Sequence, residues 1–214
     1  MRCLRFFLLT ALALVSGVGL FVYSGLYHIG ADQPHWSWTY QLIDSLRHRS
    51  VIVRAGQIDP PEDLGNLERQ RRGAGNYDAM CVSCHLKPGM PNTELRIGMY
   101  PQPPNLAKHG HDSLAEQFWI IKHGIKMTGM PAWGQAGVDD QTIWDMVALL
   151  QALPGMTAAE YDQLVASSDG HSHAGDAHRQ NGSDSDHHES SPVSTDTGHY
   201  GHHQNDKESK PHAH

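Results

Sequence analysis

The chain has 214 residues, 39% of them apolar, with a mean hydropathy of −0.49 and a formal net charge of −7. That length suits one ordinary domain plus appendages, and the acidic balance excludes the basic footprint of a nucleic-acid binder. The average hides three regimes: an apolar start, a mixed middle and a polar, histidine-rich end.

Residues 1–27 read as a membrane anchor. Phe6 to Leu26 carries no charge, and a helix of that length spans roughly 30 Å, the thickness of a bilayer core. Arg2 and Arg5 precede the apolar run, so the positive-inside rule puts the N-terminus in the cytoplasm and the rest of the chain outside. A cleaved signal peptide is the rival reading, but no small-x-small site closes the run. Cys3 stands before the run and pairs with nothing evident.

Residues 28–62 read as a connecting region. Tyr40, Leu42, Ile43 and Leu46 line one face of an expected short helix, with Arg47, His48 and Arg49 near its C-terminal end. A partner-facing or membrane-surface helix competes here with an aromatic interfacial belt plus spacer.

Residues 63–166 read as an all-α domain. The first helix is expected from about Gly73 to Cys84. A second starts at Ser113, with Glu116 three residues on, and is closed by Gly124. A third runs from about Asp139 to before Pro154, with Ile143, Met146, Val147, Leu150 and Leu153 at helical spacing. A short fourth is capped by Thr157, with Glu160 at the third position. Between Lys87 and His111, Pro, Gly and Asn predict loop.

Within the first helix stands Cys81-Val82-Ser83-Cys84-His85. Two thiols separated by two residues and followed by histidine are what covalent haem attachment needs. The thiols add across the two vinyl groups, and the imidazole sits under the iron as an axial ligand. A thioredoxin-like pair would want a βαβ context. A zinc site would want a second Cys/His pair. A disulfide would leave His85 unexplained. Haem attachment of this kind takes place on the outer face of the bacterial inner membrane, which agrees with the anchor.

Around this motif the chain resembles class I c-type cytochromes, over roughly residues 68 to 153. Gly73 and Tyr77 match the family's first helix, where a Gly and an aromatic allow close crossing by the last helix. Residues 140–150 look like that last helix, with Trp144 as the crossing aromatic. Pro103-Pro104-Asn105-Leu106 looks like the loop whose proline carbonyl accepts the proximal imidazole N–H. Thr128-Gly129-Met130-Pro131 looks like the segment carrying the distal methionine. The wider stretch is similar to membrane-anchored, periplasmic monohaem cytochromes of proteobacteria. The resemblance implies one covalent haem c held by Cys81 and Cys84, with His85 and Met130 on the iron. It also implies redox protein partners, a donor and an acceptor, in a respiratory chain.

Met90, Met99 and Met127 are the other thioether candidates, and Met127 is the main rival to Met130. His109, His111 and His123 are weaker candidates, placed in polar loops or at a helix end. Trp119, Trp133 and Trp144 read as haem-pocket packing. Lys87, Arg96, Lys108, Lys122 and Lys126 read as a positive docking rim, as propionate partners or as solvated surface.

Residues 167–214 have almost no large apolar side chain and are expected to be disordered. This tail holds His171, His173, His178, His187, His188, His199, His202, His203, His212 and His214. His-rich tracts bind Cu(II), Ni(II) or Zn(II), so transition metal ions are expected partners; a solubilising, pH-sensitive tail is the plainer reading. The whole describes a periplasmic electron carrier rather than an enzyme. A haem enzyme or gas sensor with an open sixth site, and a metal-buffering protein, are the alternatives.

Overall fold

The structure, a computed structural model, describes residues 2–110 and 113–170. Among them every regular element is a helix, and no strand occurs, as the turn and periodicity signals predict. The histidines of the tail and His111 lie outside the described residues.

Helix α1, Arg2–Ser24, is 23 residues long, buries no side chain and is long and apolar enough to cross a membrane. Helix α2, Ser37–Ala55, is much longer than expected. It does not end at Arg47-His48-Arg49 but runs on through Ser50-Val51-Ile52-Val53. Tertiary packing overrides the weak helix propensity of these β-branched residues: Val51 and Ala55 are buried, and α2 packs on α6. Of the residues expected on its apolar face, Tyr40, Leu42 and Leu46 are exposed.

Helix α3, Leu67–Met80, begins at Leu67 and not near Gly73. Asn66 caps it by accepting the Glu68 N–H at 2.9 Å. The helix breaks at Cys81, and a single turn, α4, Val82–His85, carries the rest of the haem motif. A further short helix, α5, Glu94–Ile97, stands inside the stretch expected to be loop; Thr93 caps it by accepting the Arg96 N–H. Helix α6, Leu114–His123, is capped by Ser113 and closed by Gly124 at φ +63°. Helix α7, Asp140–Ala152, has Asp139 as its cap, and Pro154 lies in the 3-10 turn beyond it. Helix α8, Ala158–Ser167, has the full Thr157–Glu160 capping box.

The core forms where α3 and α6 meet α7 and where α8 packs on α3. Ile143, Met146, Val147, Leu149 and Leu153 are almost wholly buried and pack with Tyr77, Phe118, Ile121 and Tyr161. The crossing of α3 and α7 is backbone against backbone. A Cβ on Gly73 would stand 2.6 Å from the Asp145 carbonyl carbon and closer still to its oxygen. Trp144, expected as the crossing aromatic, instead stacks on Phe118 of α6 with centroids 4.2 Å apart.

The crossing carries a buried ionic cluster. The Asp145 side chain is only 3% exposed; its Oδ1 accepts from Arg69 Nη1 at 2.7 Å and its Oδ2 from Arg72 Nε at 2.6 Å. Arg69 also pairs with Asp63 at 2.8 Å. These bonds tie two of the three arginines of α3 to one carboxylate of α7 beside the tight glycine.

Candidate functional site

The site is built by the break between α3 and α4 and by two loops that close on it. His85 ends α4, and Leu86 turns the chain away at φ +63°, a left-handed conformation costly for a branched side chain. Two contacts hold that turn: Leu86 is buried, and the Tyr77 hydroxyl donates to its carbonyl at 2.7 Å. Burial raises the pKa of Tyr77 well above the phenolic range, so the hydroxyl remains a donor.

The proximal loop fixes the imidazole. His85 Nδ1 is 3.0 Å from the Pro104 carbonyl, which can only accept, so Nδ1 carries the proton and Nε2 is left with its lone pair. Burial lowers the pKa of the free ring, keeping it neutral, the form that binds a metal ion. The loop is held twice more. Leu106 N–H donates to the His85 carbonyl at 3.1 Å, and Arg96 Nε donates to the Pro103 carbonyl at 3.0 Å. Arg96 is therefore a buried strut and no part of a solvated rim.

The thiols differ in surroundings. Cys81 packs against the core, and burial pushes its thiol up to about 12, with the neighbouring Cys84 adding to the shift. Both thiols are free and lie one turn apart, with the Cys84 N–H bonded to the Cys81 carbonyl at 3.1 Å. Cys84 Sγ lies 3.9 Å from Met99 Sδ.

The distal loop runs from Gly124 to Gly134. Gly124 lets α6 end directly against it: a Cβ there would meet the Met130 carbonyl and Pro131 at 2.7 Å. Met130 is held by its carbonyl, which accepts from Ile125 N–H at 3.3 Å. Its own N–H donates to Thr128 Oγ1 at 3.1 Å. Its side chain is half-buried against the core. Met127, in contrast, is 78% exposed, with a left-handed backbone. Met99 lies against Gly129 and Cys84. Met90 packs on the core edge.

Trp119 and Trp144 line a cleft of about 520 Å³ shared with Arg54, Ile58, Lys122 and His123, between the end of α2 and α6 and α7. Trp133 packs on the core. His123 lies over Trp119, and His109 is exposed. Lys87 pairs with Asp162 at 3.0 Å and Lys122 with Asp140 at 2.7 Å, leaving Lys108 and Lys126 as the exposed cations of the expected rim.

The residues present fit a covalent haem c on three counts. A neutral imidazole is held through Nδ1, two thiols lie at the adjoining turn, and a half-buried thioether is held by its backbone on a separate loop. The ionic cluster of Arg69, Arg72 and Asp145 escapes sequence reasoning because it joins residues more than 70 positions apart, and the Arg96 strut because its acceptor is a backbone carbonyl. Among the described residues, no group of three or more His, Cys, Asp or Glu side chains could hold a metal ion on its own.

A family described as cytochrome C oxidase, cbb3-type, subunit III matches residues 68–150, from the first turn of α3 almost to the end of α7. No curated protein and no solved structure matches the chain significantly.

Proposed function

We propose, from the premise that residues 68–150 are a class I c-type cytochrome domain, that the protein is a membrane-anchored, periplasmic one-electron carrier. Cys81 and Cys84 hold its single haem, and His85 and Met130 are the axial ligands. The haem supplies an iron centre that cycles between two oxidation states. The chain's residues hold that centre and close it to other ligands.

The observation that carries the reading is the His85–Pro104 bond at 3.0 Å. It orients the ring, fixes its tautomer and strengthens Nε2 as a donor. Met130 is the better second ligand because its backbone is bonded on both sides and its side chain is half-buried, whereas Met127 faces solvent. Met99 is the poorer candidate, because its sulfur lies 3.9 Å from Cys84 Sγ, beside a thiol that would attach the haem. With both axial positions filled by the chain, small molecules are kept off the iron and outer-sphere transfer is what remains. The α1 helix supplies the anchor, with the domain on the outer side of the inner membrane.

Visible spectra of the full holoprotein, oxidised and reduced, with and without CO, test the ligation beside Met130→Ala and Met99→Ala. The expected outcome is a methionine-to-iron charge-transfer band that only Met130→Ala loses, with CO uptake only in that variant. Ready CO binding by the unsubstituted protein would overturn the reading in favour of an open sixth site. The family description favours one variant of this reading, in which the carrier serves within a terminal-oxidase complex. Co-purification with an oxygen-reducing activity in mild detergent would decide for it.

The tail adds a second role, binding of Cu(II), Ni(II) or Zn(II) through His171, His173, His187, His188, His199, His202 and His203. Its support is composition alone. Titration of the full-length protein and of one truncated after Ser168 with Cu(II) or Zn(II) tests it. The expected outcome is extra binding by the full chain at pH 7.5 that weakens strongly at pH 5.5 as the imidazoles protonate. Equal binding by both chains would end it.

A further inference from the structure

The outward face of α2 is apolar in one register. At 100° per residue, positions 38, 42, 46 and 53 fall within about 80° of each other around the helix. Trp38, Leu42, Leu46 and Val53 are 63%, 63%, 69% and 59% exposed. Val51 and Ala55, the residues buried where α2 meets α6, lie on the opposite side. Single exposed apolar side chains are ordinary; four along one helix line form a surface that water solvates poorly. A helix serving only the core would carry polar residues here.

What covers that face follows from where α2 starts. Phe21, in the last turns of α1, meets Trp36 with centroids 6.1 Å apart, and Tyr27 stands edge-on to Trp36 at 4.9 Å. Trp36 in turn meets Trp38 at 6.1 Å. An aromatic cluster thus joins the end of the spanning helix to the first residues of the stripe. Tryptophan and tyrosine settle at the headgroup level. Arg49 lies inside the stripe, where its long stem can follow the apolar face while the guanidinium reaches the headgroups.

The segment between anchor and domain is also tied down. Tyr27 Oη lies 2.8 Å from His35 Nδ1, and the His35 N–H donates to Tyr100 Oη at 3.2 Å. Tyr100 precedes the Pro103-Pro104 segment that holds the imidazole.

We propose that α2 lies in the outer interface of the membrane, with the Trp38–Leu42–Leu46–Val53 face in lipid and the opposite face on α6. The haem domain is then held against the bilayer surface instead of swinging on a tether. This rests on the reading of α1 as a membrane anchor.

Spin labelling of the full holoprotein tests both. In a Cys3→Ser background the haem consumes the remaining thiols. Single nitroxides go at Leu42→Cys, Leu46→Cys and, on the far side, Arg47→Cys. The protein is reconstituted into phosphatidylethanolamine/phosphatidylglycerol liposomes. Lipid-soluble oxygen and water-soluble chromium oxalate are the relaxation agents. The expected ratio of oxygen to chromium accessibility is at least about five-fold higher at 42 and 46 than at 47, as for an interfacial helix. Equal ratios in protein that floats with the liposomes would overturn the placement of α2 and leave the anchor standing. Labels at 42 and 46 shielded from both agents would overturn it in favour of a second copy on that face. Protein that fails to float would overturn the anchor and the placement together.

Discussion

Gly73→Ala is expected to loosen the domain at its main helix crossing. The added Cβ would stand 2.6 Å from the Asp145 carbonyl carbon, whereas carbon atoms in good contact lie about 3.5–4.0 Å apart. Backbone cannot rotate aside as a side chain can, so α3 must back away from α7 by roughly 1 Å. Overpacking of this kind costs about 1–3 kcal/mol. The same movement stretches the Arg69–Asp145 bond from 2.7 Å. That pair is buried on both sides, and a hydrogen bond to a charged group contributes about 1.5–3 kcal/mol. The Arg72 bond adds little, because Arg72 is 39% exposed and can follow the shift. The expected loss is about 3–5 kcal/mol, a large share of the roughly 5–15 kcal/mol that holds a typical domain. Guanidinium unfolding of the ferric holoprotein, followed by far-UV dichroism and the Soret band, reads it. Gly65→Ala, whose Cβ would meet nothing within 4 Å, is the control, with no loss expected. Asp145→Ala in both backgrounds isolates the share passing through the ion pair. A Gly73→Ala protein within 1 kcal/mol of the parent would refute the tight crossing.

Two further outcomes are expected. Arg96→Lys keeps the charge but loses the planar fork that reaches both the Pro103 carbonyl at 3.0 Å and Asn92. The loosened loop weakens the His85–Pro104 bond, the imidazole becomes a poorer donor, and the reduction potential rises in redox titration; an unchanged potential would refute the strut. The second outcome concerns acid. The Arg69 hydrogen bond holds Asp63 below its ordinary 3.8, and the Thr157 N–H holds Glu160 below its ordinary 4.5. Depressed carboxylates stabilise the fold above those ordinary values and lose that contribution as pH falls through the folded-state values. Stability should therefore decline from about pH 4.5 downward, less steeply in Asp63→Asn/Glu160→Gln; an unchanged slope in that variant would assign the decline to other groups.

Locally coded elements were legible and long-range ones were not. The third and fourth helices expected from sequence appear as α7 and α8, because their signals lie within a few residues. Apolar positions repeat from Ile143 to Leu153, and Thr157 with Glu160 closes its box within one turn. The continuation of α2 was illegible because Val51 and Ala55 become helical on the strength of α6, which lies far along the chain. The same holds for Arg69, Arg72 and Asp145: three charged residues look like solvated surface until the crossing brings them together. The α5 turn was masked by the Pro, Gly and Asn around it, although Thr93 followed by Glu94 carried a weak helix-start signal. At the site, the pentapeptide revealed the chemistry. The proline carbonyl that aims His85 was legible too, through the resemblance of Pro103-Pro104, whereas the Gly124 contact and the Thr128 hydroxyl that hold the Met130 loop leave little mark on composition.

A one-electron carrier gains from a centre whose surroundings move little between oxidation states, and here the two sides are held independently. The proximal side rests on Pro104, on the Leu106–His85 bond and on Arg96. The distal side rests on Gly124 against the Met130 carbonyl and on Thr128. Most of these constraints are backbone groups, which have fewer rotamers to exchange than side chains and so hold a geometry at lower entropic cost. Independent loops also allow each side to be adjusted alone. On the proposed ligation, a change at Arg96 would act chiefly through the imidazole loop, and a change at Gly124 through the Met130 loop. The hydrogen bond from the His35 N–H to Tyr100 adds a third constraint, which ties the stretch before Pro103-Pro104 to the segment between α1 and α2.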